Sequence, residues 1–430
     1  MTQPALDPQR PTFIARAPGR LDVMGGIADY SGARVLELPL ACTTQAFVQL
    51  QEPLRLDIAS VRHGRRDRFS IDLPLARPTE LAEWFRKHDG DRWASYVVGV
   101  VQALFARTGR TQGLQILIES TVPEGRGVAS SAALEVATAT AVAACCDIEI
   151  SPEDLAALCQ RVENQVVGAP CGIMDQMTSA CGRKDRLLQL RCQPGTIEGY
   201  VEIPPGYRFY GIDSGISHAV SGADYGTVRT AAFMGLRILT ADTSWRGSYL
   251  ADLTPAAFVE LGPVLPDEMS GADFLGRYGG ITDTATTVDP ERRYPVRRAA
   301  QHPIDEQARV DRFAELLAAL AALPRQPNVA TELGDLMYGS HQSYSACGLG
   351  SDGTDRLVER VRFAGPARGL FGAKITGGGS GGTVAVFGTS AAEGVVRDLA
   401  ARYAAQSGRT ARVFAESGPG AAEAGVLQSP

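Results

Sequence analysis

The sequence predicts a globular protein of mixed helices and strands, divided into two or three domains. Three observations carry that expectation. The chain has 430 residues with 44% hydrophobic content, enough for a large core. Short strand-like apolar runs alternate with helical periodicity along its length. Near the middle, Pro204-Pro205-Gly206 interrupts the pattern and divides the chain into residues 1–205 and 206–430. The formal net charge is −6 with basic residues scattered, which speaks against nucleic acid or an anionic membrane as partner. No apolar run reaches membrane-spanning length, and the first dozen residues read as a loose tail, not a signal peptide. Eight Cys without a C-x-x-C pair read as free thiols in a reducing compartment, so a cytoplasmic protein is expected.

In chain order, Phe13 to Ala17 is a strand that meets Pro18-Gly19, followed by R-L-D-V-M-G-G-I-A-D-Y-S-G from Arg20 to Gly32. A tight turn at Gly25-Gly26 can bring Arg20 and Asp29 towards one cavity, although a surface hairpin with solvated charges explains the same spacing. Val35 to Val48 suits paired strands broken at Pro39, and residues 52–92 suit peripheral strands and loops. Trp93 to Phe105 has helical spacing, and Trp93 and Tyr96 either flank an adenine base or fill the core.

Leu114 to Ile118 is a strand, Pro123 to Ala133 (P-E-G-R-G-V-A-S-S-A-A) a loop, and Leu134 to Cys146 a helix. A Gly-rich turn lets backbone N–H groups approach a phosphate, and a helix N-terminus adds partial positive charge. Ser130 and Ser131 place hydroxyls where the helix needs N-terminal partners and where a phosphate-bound Mg²⁺ needs a hard oxygen. An ordinary capped helix after a Gly turn accounts for the loop alone equally well.

Ser151-Pro152-Glu153-Asp154 starts a helix that should run to about Val167, with Glu163 in its last turns. In C-G-I-M-D-Q-M, Asp175 is either a cap for the next helix or a carboxylate facing a site. Leu187 to Leu190, Tyr200 to Ile203 and Arg208 to Asp213 are strands. A polar loop with His218 and Tyr225 precedes a helix from about Thr227 to Leu239. Residues 241–302 read as an insertion, and Arg309 to Leu323, Val329 to Tyr344 and Gly353 to Val361 as helices. Gly377, Gly379 and Gly382 match G-x-G-x-x-G, but the segment that follows, Thr383 to Phe387, is a strand, so the dinucleotide-binding reading is rejected. Five glycines in the six residues 377–382 are a costly way to make a mere connection.

Taken together and in order, Arg20 to Tyr30, Pro123 to Ala133 and Lys374 to Thr383 resemble the three motifs of the GHMP small-molecule kinases. The first motif and C-G-I-M-D-Q resemble the galactokinase branch. The blocks A-P-G-R-L-D-V-M-G-G-I-A-D-Y-S-G and S-Y-S-A-C-G-L-G-S-D-G-T resemble its L-arabinose-phosphorylating members. The match runs from about Phe13 to Gly418.

The resemblance implies an α+β fold of two lobes with the active site in the cleft between them. It implies ATP and Mg²⁺, and a small sugar as substrate. Asp175 and Arg20 would be catalytic, while Asp29, Gly26, Ile27, Gly172 and Tyr225 would bind the sugar. Gly125, Gly127, Ser130, Ser131, Ala132, Trp93, Gly378 and Gly379 would bind nucleotide, with Ser131 and Glu163 on the metal. A monomer or weak homo-oligomer is expected.

One departure bears on substrate. Where galactokinases have G-E-H-T-D-Y, this chain has Gly25-Gly26-Ile27-Ala28-Asp29-Tyr30. The absent Glu and His are the branch's contacts to the C6 hydroxyl, and L-arabinopyranose is the galactose ring without C6. The expected reaction is therefore phosphorylation of the anomeric hydroxyl of L-arabinose. The alternatives are a galactokinase and a catalytically silent sugar sensor.

Overall fold

In the computed structural model, which describes residues 6–62, 65–217, 223–323 and 327–429, a large and a small sheet are bridged by long helices, and one hydrophobic cluster joins residues of both sheets. The first half contributes strands β1 (Thr12–Met24), β2 (Arg34–Gln51), β3 (Arg55–Arg62), β4 (Arg65–Asp72), β5 (Gly113–Ser120), β6 (Arg186–Arg191) and β7 (Thr196–Glu202). Its helices are α1 (Pro78–Lys87), α2 (Ser95–Thr108), α3 (Ser130–Cys145), α4 (Pro152–Val162) and α5 (Met174–Cys181). The second half holds β8 (Tyr207–Asp213), β9 (Met269–Ser270), β10 (Arg293–Tyr294), β11 (Leu370–Ile375), β12 (Thr383–Thr389), β13 (Val413–Phe414) and β14 (Val426–Ser429). Its helices are α6 (Ala223–Asp242), α7 (Pro255–Leu261), α8 (Gly271–Tyr278), α9 (Val296–Ala322), α10 (Pro327–Ala346), α11 (Asp352–Ala364), α12 (Glu393–Ser407) and α13 (Ala421–Ala424).

The large sheet runs β14-β1-β2-β5-β3-β4, with β6 and β7 continuing from the first residues of β2. The Ala, Val and Thr sequence of α3 is apolar on nearly every face, and the helix is correspondingly enclosed: it lies on β1 and β2 with α2, α4 and α5 around it. The small sheet is antiparallel, in the order β11-β12-β8-β13, with α10 and α11 against β11. The break at residues 204–206 falls between β7 on one sheet and β8 on the other. Residues beyond it do not all stay with the second sheet: β14 pairs with β1, and Leu40 bridges Ser417. All eight cysteines are free and buried. No helix among the described residues is long and apolar enough to cross a membrane.

Five sequence expectations are corrected. The first strand passes through Pro18-Gly19 as a register shift and continues to Met24. The second does not break at Pro39. Its outer edge changes partner there, from β6 at residues 34–37 to β5 at 44–51, and the missing proline N–H leaves no rung of either ladder empty. Residues 78–87 form a helix that buries Leu81 and Phe85, although the segment is charge-rich. Helix α9 starts at Val296, inside the expected insertion, and runs through Pro303. Burial of Ala299, Ala300 and Ile304 outweighs the helix-breaking tendency of the proline. The helix expected to reach Val167 ends as an α-helix at Val162 and finishes in a π turn, Glu163–Val167. His218 lies outside the described residues.

Candidate active site

Arg20 sits on β1 and is 2% exposed. Its Nε donates to Asp175 Oδ1 at 2.8 Å and its Nη1 to the Gly127 carbonyl at 2.7 Å, joining β1, the start of α5 and the loop before α3. The Asp175 side chain is 20% exposed, the opening it has towards a cavity. Glu37 on β2 lies behind, with Oε2 at 3.4 Å from Arg20 Nε. Burial works to lower the Arg20 pKa, but the charges of Asp175, Glu37 and Asp22 outweigh it, so the guanidinium stays protonated. Burial raises Glu37 well above the carboxylate range.

That cavity, about 80 Å³, gathers residues from five separate segments. Arg20, Ile27 and Asp29 come from β1 and the 3₁₀ turn Gly26–Ser31. Gly125, Gly127, Ser130 and Ser131 come from the loop and first turn of α3. Gly172 and Asp175 flank the start of α5, and Tyr225 comes from α6. Gly378 arrives from the loop between β11 and β12. A second cavity of about 330 Å³ shares Gly125, Ser130 and Ser131 and adds Trp93, Tyr96, Leu134 and Glu163.

The two glycine-rich loops touch. Thr383 Oγ1 donates to the Arg126 carbonyl at 2.8 Å, and a Cβ built at Gly377 would lie 3.2 Å from the Gly127 carbonyl oxygen. The N-cap of α3, Ala129, is left-handed with φ 57° and offers no side-chain cap, so the first-turn N–H groups face the cavities without a capping partner. Ala132 can therefore act only through its backbone, because its side chain is buried.

Asp29 Oδ1 accepts from the Tyr30 N–H at 2.6 Å. Burial pushes its pKa up to about 7, with Arg229 pulling it down. At Gly172 only glycine fits, since a Cβ there would lie 1.7 Å from Asp29 Oδ2. Glu163 accepts from Gln176 Nε2 at 2.6 Å and from Ser131; burial raises its pKa to about 7 while the Ser131 hydrogen bond opposes.

Ser131 and Glu163 offer hard oxygens beside the buried, unpartnered Oε1 of Glu135, whose other oxygen shares the Gln176 amide. Among the described residues no group of three or more His, Cys, Asp or Glu could hold a metal. The set suits Mg²⁺ that takes its remaining ligands from phosphate and water.

Two expected site residues face elsewhere. A Cβ at Gly26 would meet Tyr344 Oη at 1.6 Å, so this position abuts α10 and not the cavity. A Cβ at Gly379 would contact Leu349 at 2.7 Å.

The sequence reading missed a fully buried hub. Lys374 Nζ lies 2.6 Å from Asp22 Oδ2, with both side chains 0% exposed. Asp22 also accepts from the N–H groups of Gly26 (3.1 Å) and Gly377 (3.2 Å), and its own N–H donates to Thr376 Oγ1 at 2.8 Å. Tyr344 accepts from the Ile27 N–H at 2.8 Å and donates to the Gly377 carbonyl at 3.0 Å. The signal available was a charge inside an apolar strand, Lys374 in L-F-G-A-K-I and Glu37 in V-L-E-L.

A helix N-terminus and two glycine-rich loops thus meet at one cavity over an Arg–Asp pair. Models of the GHMP kinases N terminal domain and the GHMP kinases C terminal match residues 95–183 and 316–405. A galactokinase from Chloroflexus aggregans is 31% identical over 93% of this chain and 90% of its own length. The chain belongs to the GHMP kinases. An L-arabinokinase from Arabidopsis thaliana is 39% identical over 97% of this chain, which spans 46% of that protein's length. The Lactococcus lactis galactokinase complexed with galactose shares the fold, with TM-score 0.78 at 20% identity over 96% of this chain and 95% of that one. Methanococcus jannaschii mevalonate kinase does so with TM-score 0.59 at 15% identity, over 94% and 97% of the two chains.

Proposed function

We propose that the chain transfers the γ-phosphoryl group of ATP to the anomeric hydroxyl of L-arabinose, giving L-arabinose 1-phosphate and ADP. The observation that carries this is the Arg20–Asp175 contact at 2.8 Å, at a cavity walled by both glycine-rich loops. The Arabidopsis L-arabinokinase, a relative along nearly the whole chain, supports the choice of sugar.

Asp175 orients the C1 hydroxyl and accepts its proton as the oxygen bonds to phosphorus and the bond to ADP breaks. Arg20 fixes the orientation of Asp175 through its 2.8 Å hydrogen bond and faces the charge developing on the transferred group. Free N–H groups of the first turn of α3 receive phosphate oxygens, and Trp93 and Tyr96 bound space for the adenine. Ser131 and Glu163 would hold Mg²⁺, which supplies charge neutralisation along the phosphates. Asp29 and Tyr225 hold ring hydroxyls, with Gly172 giving Asp29 room. Buried free thiols fit a cytoplasmic setting.

Ile27 presents an apolar wall, and Tyr344 occupies the space beside Gly26. A C6 hydroxyl against Ile27 loses its hydrogen bonds at a cost of about 1–3 kcal/mol, roughly 5- to 150-fold in kcat/KM. ADP release measured across L-arabinose, D-galactose and other aldoses tests the assignment. Equal kcat/KM for L-arabinose and D-galactose overturns the pentose preference. Binding without turnover favours a silent sensor. Asp175→Asn should bind both substrates and lose most turnover; near-normal turnover removes Asp175 from the mechanism.

A further inference from the structure

A cavity of about 770 Å³, larger than either of those above, lies on the far side of Tyr30 from the candidate sugar pocket. Helix α4 with its π turn forms one wall, α6 a second, and residues 247–249 and 282–285 the rim. Its lining carries three guanidiniums, Arg161, Arg229 and Arg237, against one carboxylate, Asp283, in a chain of net charge −6. Asp283 is already committed: both its oxygens take hydrogen bonds from Arg229, each at 2.8 Å.

Arg161 and Arg237 are exposed and have no carboxylate partner among the described residues. Arg237 makes one long hydrogen bond, 3.5 Å, to the Tyr278 carbonyl. Two uncompensated guanidinium forks on facing helices match the geometry of phosphate oxygens. Amide and hydroxyl groups of Gln165, Thr240, Ser248 and Thr284 line the remaining surface and can pair with a polyol. The volume is that of a small-molecule site.

We propose that this cavity is a second ligand site that takes a phosphate group, free or carried on a small sugar, held by Arg161 and Arg237. Its inner wall is shared with the sugar pocket. The Tyr30 ring meets Tyr225 edge-on at 6.0 Å, and Arg229 lies over Tyr30 at 5.4 Å. Tyr30 Oη and Arg229 Nη1 are buried without hydrogen-bond partners among the described residues. An occupant of the cavity therefore adjoins the side chains that back Asp29.

Isothermal titration calorimetry on the enzyme saturated with ADP and Mg²⁺, so that its phosphate loop is filled, tests this with inorganic phosphate and D-ribose 5-phosphate as probes. Saturable binding of either is expected, weakened roughly tenfold or more in Arg161→Ala/Arg237→Ala. Tighter binding of the ester identifies a sugar phosphate as occupant; equal or tighter binding of inorganic phosphate identifies the free anion. Both variant residues are exposed and line neither cavity of the candidate active site, so ADP production by the variant with saturating sugar should match the parent and shows that it is folded. No saturable binding of either probe at millimolar concentration, or unchanged affinity in the folded double variant, overturns the proposal.

Discussion

Replacing Lys374 by Met removes the positive half of a pair in which both side chains are 0% exposed and 2.6 Å apart. Asp22 keeps its hydrogen bonds from the Gly26 and Gly377 N–H groups, but two neutral donors at 3.1 and 3.2 Å do not replace a cation. An uncompensated buried charge of this kind costs about 3–5 kcal/mol. Adding Asp22→Asn removes the stranded charge. The Asn oxygen still accepts from one of the two glycines, and the loss of the other hydrogen bond costs about 1–3 kcal/mol. The double variant should therefore be more stable than Lys374→Met alone, with a coupling energy of about 2 kcal/mol or more. Urea unfolding followed by circular dichroism, run as a double-mutant cycle, measures this. Additive single effects, or a Lys374→Met cost under about 1 kcal/mol, would refute the view that this pair is desolvated and binds the two lobes' loops together.

Arg20→Lys keeps a charge but gives up the fork that reaches Asp175 and Gly127 together, so kcat should fall roughly 10²- to 10³-fold with a smaller change in sugar KM; steady-state kinetics showing an unchanged kcat would mean the fork is not used. Burial holds Asp29 protonated up to about pH 7, so sugar KM should fall as pH rises through that value, and Asp29→Asn should flatten the profile. Because this folded pKa lies above the unfolded one, its stabilising contribution is complete below about pH 4 and lost as pH rises through about 7. Asp29→Asn should accordingly raise stability above pH 7, read as the midpoint of urea unfolding at pH 6 and pH 8. Gly26→Ala places a methyl 1.6 Å from Tyr344 Oη at a left-handed φ of 48°, and should cost about 2–5 kcal/mol in the same measurement. Tyr344→Phe added to it should recover part of that loss, and no recovery would mean that backbone strain dominates.

Much of the candidate site was legible because its parts are local. The phosphate loop needs glycine, hydroxyl and helix start within a dozen residues, and Pro123 to Ala133 shows all three. Asp175 stood between two readings for the opposite reason: the second position of α5 serves a cap and a site carboxylate equally well, and Arg20, 155 residues away, separates them. Gly26 was read as a sugar contact because it stands where relatives carry one, whereas its immediate neighbour in space is Tyr344 from α10.

Local propensity also misjudged elements wherever packing overrode it, as at Pro303 inside α9 and Pro39 inside β2. By itself the sequence determined which segments can form strands, helices and anion-accepting turns, since these depend on neighbours a few residues apart. Only the tertiary structure decided that β14 returns to β1, that Asp22 meets Lys374 and that Glu37 stands behind Arg20. Those contacts join residues far apart in the chain, and a buried charge shows its partner only when both have been placed in the same low-dielectric interior.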